Sequence, residues 1–292
     1  MKAIGLVANW QKKERVIQMV KQINDFFAGN KIKIYINQSD EASLDIEVDS
    51  ILLEDFPAKV DLVIVLGGDG TILRVARELM GKKLPLLGLN LGHMGFLAEV
   101  EPTTLIESLQ KLLDGRYKII DRMMLSAKVL RKEVTAAEYT ALNEIVITKG
   151  PFSRIIYVDT YVNNKFLESY PGDGVIVASP TGSTGYSLSA GGPIVNPALD
   201  VMILTPICPH LLHHRSVIVP GDESVMLQVK TRQTEVVLTV DGQVGFSIKD
   251  DDMIIVTRSA MNTPLIQLEG SDFYVLLHHK LMKAIRKKPE RQ

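Results

Sequence analysis

The stretch "VIVLGGDGTILRVA", residues 63–76, is the strongest indication of the fold class of this chain. Apolar residues fill positions 63–66, the run Gly-Gly-Asp-Gly-Thr follows at 67–71, and apolar residues then recur at helical spacing. A continuous apolar run is typical of a strand covered on both faces, as in a parallel sheet flanked by helices. Ligands of such open α/β sheets bind beyond the carboxyl ends of the strands, so the turn at 67–71 is the first candidate site.

The segments on either side of this stretch continue the alternation. Strand-like and amphipathic runs follow one another from residue 2 to residue 115, which predicts a parallel sheet with helices on its faces. The runs that read as strands are "KAIGLVAN" (2–9), "KIKIYI" (31–36) and "LPLLGLN" (84–90), and those that read as helices are "KKERVIQMVKQINDFF" (12–27), "TILRVARELMG" (71–81) and "EPTTLIESLQKLLDG" (101–115).

The pattern changes near residue 117, where strand-like runs separated by turn residues begin. We read 117–130, 138–149 and 154–170 as strand regions, the last with a hairpin turn at Asn163-Asn164. Further strand-like runs occur between residues 216 and 258, and a Ser-Asp start with helical periodicity follows at residue 271. The prediction is an α/β domain followed by a mostly β domain and a last helix.

Composition narrows the functional classes. The 292 residues carry a formal net charge of −1, so no global field favours nucleic acid, and the basic tail lacks interleaved aromatic residues. Cys208 is the single cysteine, which excludes a disulfide within the chain and fits a reducing cytosol. No apolar run approaches the roughly 18 residues of a membrane helix, and the first residues lack a signal-peptide pattern. We therefore expect a cytoplasmic protein that binds neither nucleic acid nor membrane.

The turn at 67–71 combines the features of a phosphate site with an acid. Glycines permit close approach of the backbone to a ligand, and the N–H groups at a helix start favour phosphate. Asp69 is out of place beside phosphate unless it takes a proton from an attacking hydroxyl or shares a metal ion with the phosphates. The run matches neither the lysine-containing phosphate loop nor G-x-G-x-x-G. The alternative is a tight turn in which Asp69 merely caps the helix.

A second glycine-rich stretch, "GDGVIVASPTGSTGYSLSAGGPIV", spans residues 172–195. A short apolar strand leads into glycines and small hydroxyl residues, which offer donors with little bulk and suit diphosphate and ribose. Tyr186 is able to stack on a base or to anchor the loop, and Asp173 to accept from a base amine or a ribose hydroxyl. Asn143-Glu144 interrupts an apolar strand, so either one side chain faces a site or the pair lies on a solvated edge. A flexible linker is the alternative interpretation of 172–195.

Together these residues resemble the NAD kinase family, whose members phosphorylate NAD to NADP. The resemblance covers most of the chain, from about residue 1 to residue 285. The Gly-Gly-Asp-Gly turn is shared with diacylglycerol and sphingosine kinases and is similar to the phosphofructokinase turn, whereas the second glycine-rich stretch is specific to NAD kinases. The matching motifs are 67–71, "NLGHMGFL" (90–97), Asn143-Glu144, Asp173-Gly174, "PTGSTGYSLSAGGP" (180–193), "LTPICPH" (204–210) and Asp241-Gly242-Gln243.

The resemblance implies a Rossmann-like α/β domain at 1–118, a β-rich, sandwich-like NAD-binding domain at 119–267, and a C-terminal segment, 268–292, that packs back on the first domain. It implies ATP as the phosphate donor, a divalent cation (Mg²⁺) carried with ATP, and a homodimer or homotetramer. It assigns Asp69 as the general base that activates the 2′-hydroxyl of the adenosine ribose. The NAD-binding residues that it implies are Asp69, Gly70, Arg74, Asn143, Glu144, Arg154, Asp173, Thr184, Gly185, Tyr186, Ser187, Leu188, Ser189 and Gln243, and the phosphate loop comprises Gly67, Gly68, Gly70 and Thr71.

Two positions depart from the family pattern: Gly185, where alanine is frequent, and Pro171, where some members have a basic residue. Two alternatives stay open, a lipid kinase of the diacylglycerol type, which would not need the stretch 172–195, and a sensor that binds NAD or NADP without turnover. A further cluster of metal-ligand residue types lies at 208–214, but its spacing matches no common zinc site, so no protein-bound metal is predicted. This cluster comprises Cys208, His210, His213 and His214.

Overall fold

The computed structural model describes residues 1–41, 48–92, 95–151, 153–210, 213–230 and 235–286. Strands and helices alternate in the first part of the chain, and strands dominate after residue 117. The strands of the described residues are β1 (Ala3–Ala8), β2 (Lys33–Asn37), β3 (Asp49–Ile51), β4 (Leu62–Leu66), β5 (Leu86–Leu89), β6 (Tyr117–Arg131), β7 (Val134–Ala141), β8 (Glu144–Lys149), β9 (Ile156–Val162), β10 (Lys165–Gly172), β11 (Gly174–Ala178), β12 (Val201–Ile207), β13 (Val217–Pro220), β14 (Val225–Lys230), β15 (Val236–Val240), β16 (Val244–Ile248) and β17 (Met253–Leu268). The α-helices are α1 (Lys13–Ala28), α2 (Gln38–Glu41), α3 (Phe56–Lys59), α4 (Asp69–Glu78), α5 (Leu105–Leu113), α6 (Tyr186–Ser189) and α7 (Phe273–Arg286), and short 3₁₀ turns lie at Trp10–Lys12, Leu53–Asp55, Pro102–Thr104 and Thr181–Thr184.

The chain forms two compact units. Unit 1 comprises Met1–Asp121 and Pro264–Gln292, and unit 2 comprises Arg122–Thr263. The long strands β6 and β17 each contribute residues to both units. The predicted fold class, an α/β domain followed by a β-rich domain and a last helix, is confirmed. The domain boundaries expected after residues 118 and 267 stay predictions. Within the described ranges, no helix is both long and apolar enough to span a membrane.

Unit 1 is built on a parallel sheet in the order β3-β2-β1-β4-β5, and Leu265 of β17 pairs in parallel with Leu86 of β5. Strands β2 and β3 follow β1 on one side of it, whereas β4 and β5 lie on its other side. The strand order therefore reverses between β1 and β4. In open α/β sheets the ligand crevice lies outside the carboxyl ends of the strands at such a reversal. The residues that follow β1 and β4 are therefore the place where this fold positions a site.

One apolar core holds the sheet of unit 1 to its helices. Helix α1 contributes residues at helical spacing, Ile23 and Phe27 among them, which accounts for its amphipathic sequence. Strand β4 is buried at all of its positions, as its continuous apolar run predicts. Ile266 and Leu268 belong to the same core, so the end of β17 completes unit 1 rather than extending away from it.

Unit 2 is a sandwich of antiparallel sheets that share one large core. One sheet has the order β13-β12-β11-β8-β15-β16, and the other contains β10-β9-β14-β17, with β6 paired to both β17 and β7. Val175 and Val177 of β11 face the shared core. Ile176 and Ala178, on the opposite face of the same strand, pack with Val195 in a smaller core. The part of the glycine-rich stretch that follows β11 therefore lies against the outer face of the sheet that contains β11.

Several predicted elements are confirmed, and one boundary is corrected. The hairpin at Asn163-Asn164 is present, with φ angles of 47° and 61°, as a two-residue turn of type I′ requires. The last helix begins as its sequence predicts, because the Asp272 side chain accepts from the Tyr274 backbone N–H at 2.8 Å. Helix α4 ends at Glu78, short of the stop expected at Gly81, which instead takes a positive φ of 76° in the turn beyond the helix.

Several strands differ from the sequence-based expectation. The run 138–149 is two strands, since β7 ends before Leu142 and β8 begins after Asn143. Strand β12 was not predicted, and β17 runs ten residues beyond the expected end at Arg258. Both of the missed regions contain a proline, Pro206 and Pro264, and proline weakens the strand signal of a sequence.

Candidate active site

Backbone hydrogen bonds tie together the carboxyl ends of the central strands of unit 1. The Asn9 N–H donates to the carbonyl oxygen of the last residue of β4 at 2.8 Å, and the Gly67 N–H donates to that of the last residue of β5 at 2.9 Å. The turn after β5 is closed by Asn90, whose side-chain oxygen accepts from the Gly92 N–H at 2.8 Å. These bonds place the segment 67–71 where the strand order reverses.

Glycine occupies the positions of this turn for different reasons. A Cβ atom on Gly67 would lie 2.3 Å from the Thr71 hydroxyl oxygen, so the packed side of the turn requires glycine. No atom lies within 4 Å of the corresponding Cβ position on Gly68, and Gly70 is exposed in the first turn of α4. The turn is thus packed at Gly67 and open beside Gly68. An open backbone at the start of a helix suits a phosphate group.

Asp69 is the first residue of α4, yet its carboxylate turns away from the helix. Its two oxygens accept from the Phe96 and Leu97 backbone N–H groups at 2.7 and 3.1 Å. A Cβ atom on Gly95 would lie 1.6 Å from Asp69 Oδ1, so the approach of this segment depends on glycine. The carboxylate is held by a segment distant in sequence, and the alternative in which Asp69 merely caps its own helix is wrong.

Charged side chains flank this part of unit 1. The Lys280 ammonium lies over the Phe96 ring, 4.6 Å from its centroid, in a cation–π contact. Arg74, predicted to bind NAD, has its guanidinium 3.0 Å from the Glu78 carboxylate on the surface of α4. Exposed ion pairs of this kind are weak, so the pair does not prevent Arg74 from reaching an anionic ligand. His93 of the "NLGHMGFL" motif lies outside the described residues.

In unit 2, Asp241 organises the backbone around Asn143-Glu144. Its carboxylate accepts from the backbone N–H groups of Leu142, Asn143 and Glu144 at 3.1, 2.8 and 3.1 Å. Its own N–H donates to the Glu144 carbonyl oxygen at 3.0 Å, and its φ of 49° lies in the left-handed region that aspartate tolerates. These bonds divide the run 138–149 into two strands and fix Asn143 at the break between them.

Glu144 is a buried acid with an unmet acceptor. It lies on the central strand β8 and is 6% exposed, so the solvated-edge alternative is wrong for this residue. Burial, followed by the charge of Asp241, raises the pKa of Glu144 to about 7, and the Tyr186 backbone N–H opposes the rise. Neither Glu144 Oε2 nor the buried Oδ1 of Asn143 has a hydrogen-bond partner among the described residues. Buried acceptors are costly without a donor, and ligand hydroxyl or amine groups would supply one.

The second glycine-rich stretch packs directly on these two acceptors. A Cβ atom on Gly182 would lie 2.1 Å from the Asn143 backbone carbonyl oxygen, which cannot move without the chain. A Cβ atom on Gly185 would lie 2.8 Å from Glu144 Oε2 and 3.3 Å from Asn143 Nδ2, which are the ends of side chains. Glycine therefore lets the stretch approach the buried acid and amide closely.

Hydroxyl groups hold this stretch in place. The Ser179 hydroxyl accepts from the Gly182 N–H at 3.1 Å and donates to a backbone carbonyl oxygen. The Ser183 hydroxyl bonds both the N–H and the carbonyl oxygen of Val195, each at 3.1 Å. Ser187 is buried, with its hydroxyl oxygen 3.0 Å from that of Thr205. The flexible-linker alternative is wrong, since the stretch is fixed at both ends.

The remaining residues predicted to bind NAD occupy varied positions in unit 2. Tyr186 is 44% exposed, and partial burial, with the charges of Cys208, Asp173 and Glu144, raises the pKa of its hydroxyl. Asp173 lies 3.2 Å from the Lys149 ammonium. Thr184 and Leu188 are half-buried, and Arg154, Ser189 and Gln243 are exposed.

Sequence reasoning missed several supporting residues. Phe96 and Leu97 lie in the matched motif 90–97, but the sequence did not predict that their backbone N–H groups bind Asp69. Lys149 contacts Asp173, and Thr205 contacts Ser187, because the sheet of unit 2 aligns the strands that carry Lys149 and Thr205. Asp241 was part of a matched motif, and its φ above zero together with the following glycine is the signal that marks a special turn.

Comparison with known proteins gives a consistent result across both units. Family models match in two parts: the ATP-NAD kinase N-terminal domain over residues 4–117 and the ATP-NAD kinase C-terminal domain over residues 142–268. A protein named NAD kinase from Natranaerobius thermophilus is 47% identical over 281 residues, covering 96% of this chain and 98% of its own. The NAD kinase of Moorella thermoacetica is 47% identical over 284 residues, covering 97% of this chain and 90% of its own.

Two solved structures share the fold. Yeast NADH kinase complexed with NADH superposes with a TM-score of 0.85 at 23% identity, covering 100% of this chain and 90% of that one. An NAD kinase from Archaeoglobus fulgidus in complex with ATP superposes with a TM-score of 0.72 at 24% identity, covering 97% of this chain and 99% of that one.

Proposed function

This chain belongs to the NAD kinase family, and we propose that it transfers the γ-phosphoryl group of ATP to the 2′-hydroxyl of the adenosine ribose of NAD. The products are NADP and ADP. The observation that carries the proposal is the Asp69 carboxylate, fixed by two backbone N–H groups at the open glycine turn after β4. An acid held beside a phosphate-type turn is what a kinase of an alcohol group needs.

We propose Asp69 as the general base. One of its oxygens takes the proton of the 2′-hydroxyl while the ribose oxygen bonds the γ-phosphorus, the bond to the bridging oxygen breaks, and ADP leaves with that electron pair. Each carboxylate oxygen already accepts one N–H and keeps a further lone pair for the substrate proton. The two bonds fix the direction of that lone pair, and a positioned general base contributes a factor of about 10² to 10⁴ in rate.

Unit 2 supplies the binding groups that we propose for NAD. Glu144 Oε2 and Asn143 Oδ1 are buried acceptors, and ribose hydroxyls are donors of the right size to meet them. Exposed Tyr186 offers an aromatic face at the edge of the same stretch. The full set proposed for NAD comprises Asp69, Gly70, Arg74, Asn143, Glu144, Arg154, Asp173, Thr184, Gly185, Tyr186, Ser187, Leu188, Ser189 and Gln243, with Gly67, Gly68, Gly70 and Thr71 proposed for the phosphates of ATP.

A divalent cation, which we propose to be Mg²⁺, fits this site as a companion of ATP. Among the residues that the structure describes, Asp69 belongs to no cluster of three metal-ligand side chains. Magnesium usually keeps several waters and binds through substrate phosphates, so it can enter with ATP and needs no dedicated set of protein ligands. When bound, the cation neutralises charge on the phosphates.

We also propose a homodimer or homotetramer. The β9–β10 hairpin carries Tyr157, Phe166 and Leu167, which are 38%, 58% and 38% exposed, and exposed large apolar side chains of this kind are often buried between subunits. Light scattering on purified protein distinguishes these states from a monomer. A cytoplasmic location is proposed from the single cysteine.

A coupled assay tests the proposed function. Purified protein is mixed with ATP, Mg²⁺ and NAD, and NADP is read with an NADP-specific dehydrogenase, which distinguishes the 2′-phosphate from other products. We expect NADP to form at the rate at which ADP is released, and no NADP without ATP. NAD binding without NADP formation, with ATP and with other triphosphates or polyphosphate as donors, would contradict the kinase and identify a nucleotide sensor.

A further inference from the structure

The segment between β12 and β13 brings two histidines to an acid of another strand. His213 and His214 follow the end of β12, and Glu168 lies on β10. One ligand atom from each of the three side chains lies within 4.8 Å of the other two. The sequence predicted no metal site here, and the group differs from the residues considered there, since it includes Glu168 and leaves out Cys208 and His210.

His214 is the unusual member of this group. It is 6% exposed, and neither of its ring nitrogens has a hydrogen-bond partner among the described residues. Its ring packs edge-on against the rings of Tyr170 and His213, with centroids 5.0 and 4.5 Å apart. Aromatic packing stabilises the ring but satisfies neither nitrogen, so a buried imidazole is left with unmet capacity to bind a ligand.

Glu168 is oriented toward the histidines by its strand. The pairing of β10 with β9 shifts register between Phe166 and Glu168, and such a bulge re-aims a side chain. Glu168 Oε1 accepts from the Ser169 N–H at 3.0 Å, which leaves Oε2 for another partner. That oxygen lies 3.9 Å from His214 Nε2, too far for a hydrogen bond.

We propose that Glu168, His213 and His214 bind a divalent transition metal of the zinc type, with water as the remaining ligand. Two imidazoles and one carboxylate are a common set of protein ligands for zinc. Mg²⁺ prefers oxygen ligands, so the two imidazole nitrogens favour a transition metal over Mg²⁺. Bonds of about 2.0 to 2.1 Å place tetrahedral ligand atoms about 3.3 Å apart, so small side-chain rotations complete the site. Exposed His213 provides access for the ion and for water.

The bound metal fastens the segment before β13 to β10. The two are already joined by the His210 N–H, which donates to the Pro171 carbonyl oxygen at 2.9 Å. The metal adds side-chain ligands to that backbone contact, and its binding raises the stability of the folded state. This site is separate in its ligands from Asp69 and does not depend on the proposed kinase reaction.

Metal titration tests the proposal. Protein freed of metal with a chelator is titrated with Co²⁺ in the absence of nucleotide, and the visible absorbance of four-coordinate cobalt is followed, with Zn²⁺ as competitor. We expect one ion per chain, and affinities weaker by at least about tenfold in Glu168→Gln and in His213→Ala. His210→Ala and Cys208→Ser are the matched controls and should bind within about twofold of the wild type.

A second measurement separates metal binding from damage to the fold. Zn²⁺, but not Mg²⁺, should raise the thermal midpoint of the wild type and of the two controls, and leave that of Glu168→Gln and His213→Ala unchanged. Circular dichroism of the metal-free proteins checks that both variants fold. Absence of stoichiometric binding to the wild type, or unaltered affinity in both folded variants, would overturn the proposal.

Discussion

The raised pKa of Glu144 predicts how stability depends on pH. Burial raises this pKa from an ordinary 4.5 to about 7, so the folded protein favours the neutral acid. Below pH 4.5 the carboxyl is neutral in both states and the stabilisation is complete. As pH rises toward 7 the unfolded chain alone ionises, and the free energy of unfolding falls. A pKa difference of about 2.5, at about 1.4 kcal/mol per pH unit, corresponds to a loss of about 3 kcal/mol above pH 7.

The substitution Glu144→Gln removes this titration while it preserves size and shape. The free energy of unfolding of the variant, relative to wild type, should therefore increase by about 3 kcal/mol between pH 4.5 and pH 8.5. Urea unfolding followed by circular dichroism, without nucleotide, measures the difference at both pH values. Glu138→Gln, whose side chain is 60% exposed on β7, is the control and should show little change.

The same variant separates stability from binding. The amide carries no charge and has one acceptor oxygen where the carboxylate has two, so its hydrogen bonds with the ribose hydroxyls are weaker, and NAD should bind Glu144→Gln about tenfold more weakly. A stability difference from wild type that stays the same at both pH values would contradict a raised pKa for Glu144, because the folded carboxyl would then ionise at its ordinary pKa.

Glycine substitutions give two further predictions. Gly95→Ala places a Cβ atom 1.6 Å from Asp69 Oδ1, which displaces the base and should lower kcat by at least about 10². The dissociation constant for NAD should change far less. An unchanged kcat would contradict the role of the fixed Asp69 carboxylate. Gly182→Ala meets a backbone carbonyl oxygen at 2.1 Å, whereas Gly185→Ala meets the end of the Glu144 side chain at 2.8 Å. The thermal midpoint should fall strongly in the first and little in the second, and equal losses would contradict the distinction between rigid and flexible neighbours.

The sequence predicted those parts of the fold whose signals are local. The buried run of β4 and the amphipathic pattern of α1 identified the α/β domain, and Asn163-Asn164 identified a hairpin. The family assignment, predicted from the glycine-rich motifs, is confirmed by relatives of 47% identity. Such motifs can be found in a sequence because each requires particular residue types at fixed spacing.

The contacts that shape the candidate sites were beyond the sequence, since they join residues distant along the chain. Asp69 is held by backbone donors of the segment 95–97, and Asn143-Glu144 by the carboxylate of Asp241. Glu168 meets His214 only because a bulge in β10 and the end of β12 adjoin. Residue type alone indicates what a side chain is able to bind, and tertiary packing decides what reaches it.

The kinetics of Asp69→Asn test whether Asp69 is the general base. The amide keeps the shape of the carboxylate but cannot take the 2′-hydroxyl proton, so kcat for NADP formation should fall by about 10² to 10⁴. The dissociation constant for NAD, measured by calorimetry, should stay within about threefold of the wild-type value, and the unfolding midpoint should show that the variant is folded. A variant that binds NAD normally and retains a kcat within about twofold of wild type would contradict the assignment of Asp69 as the base.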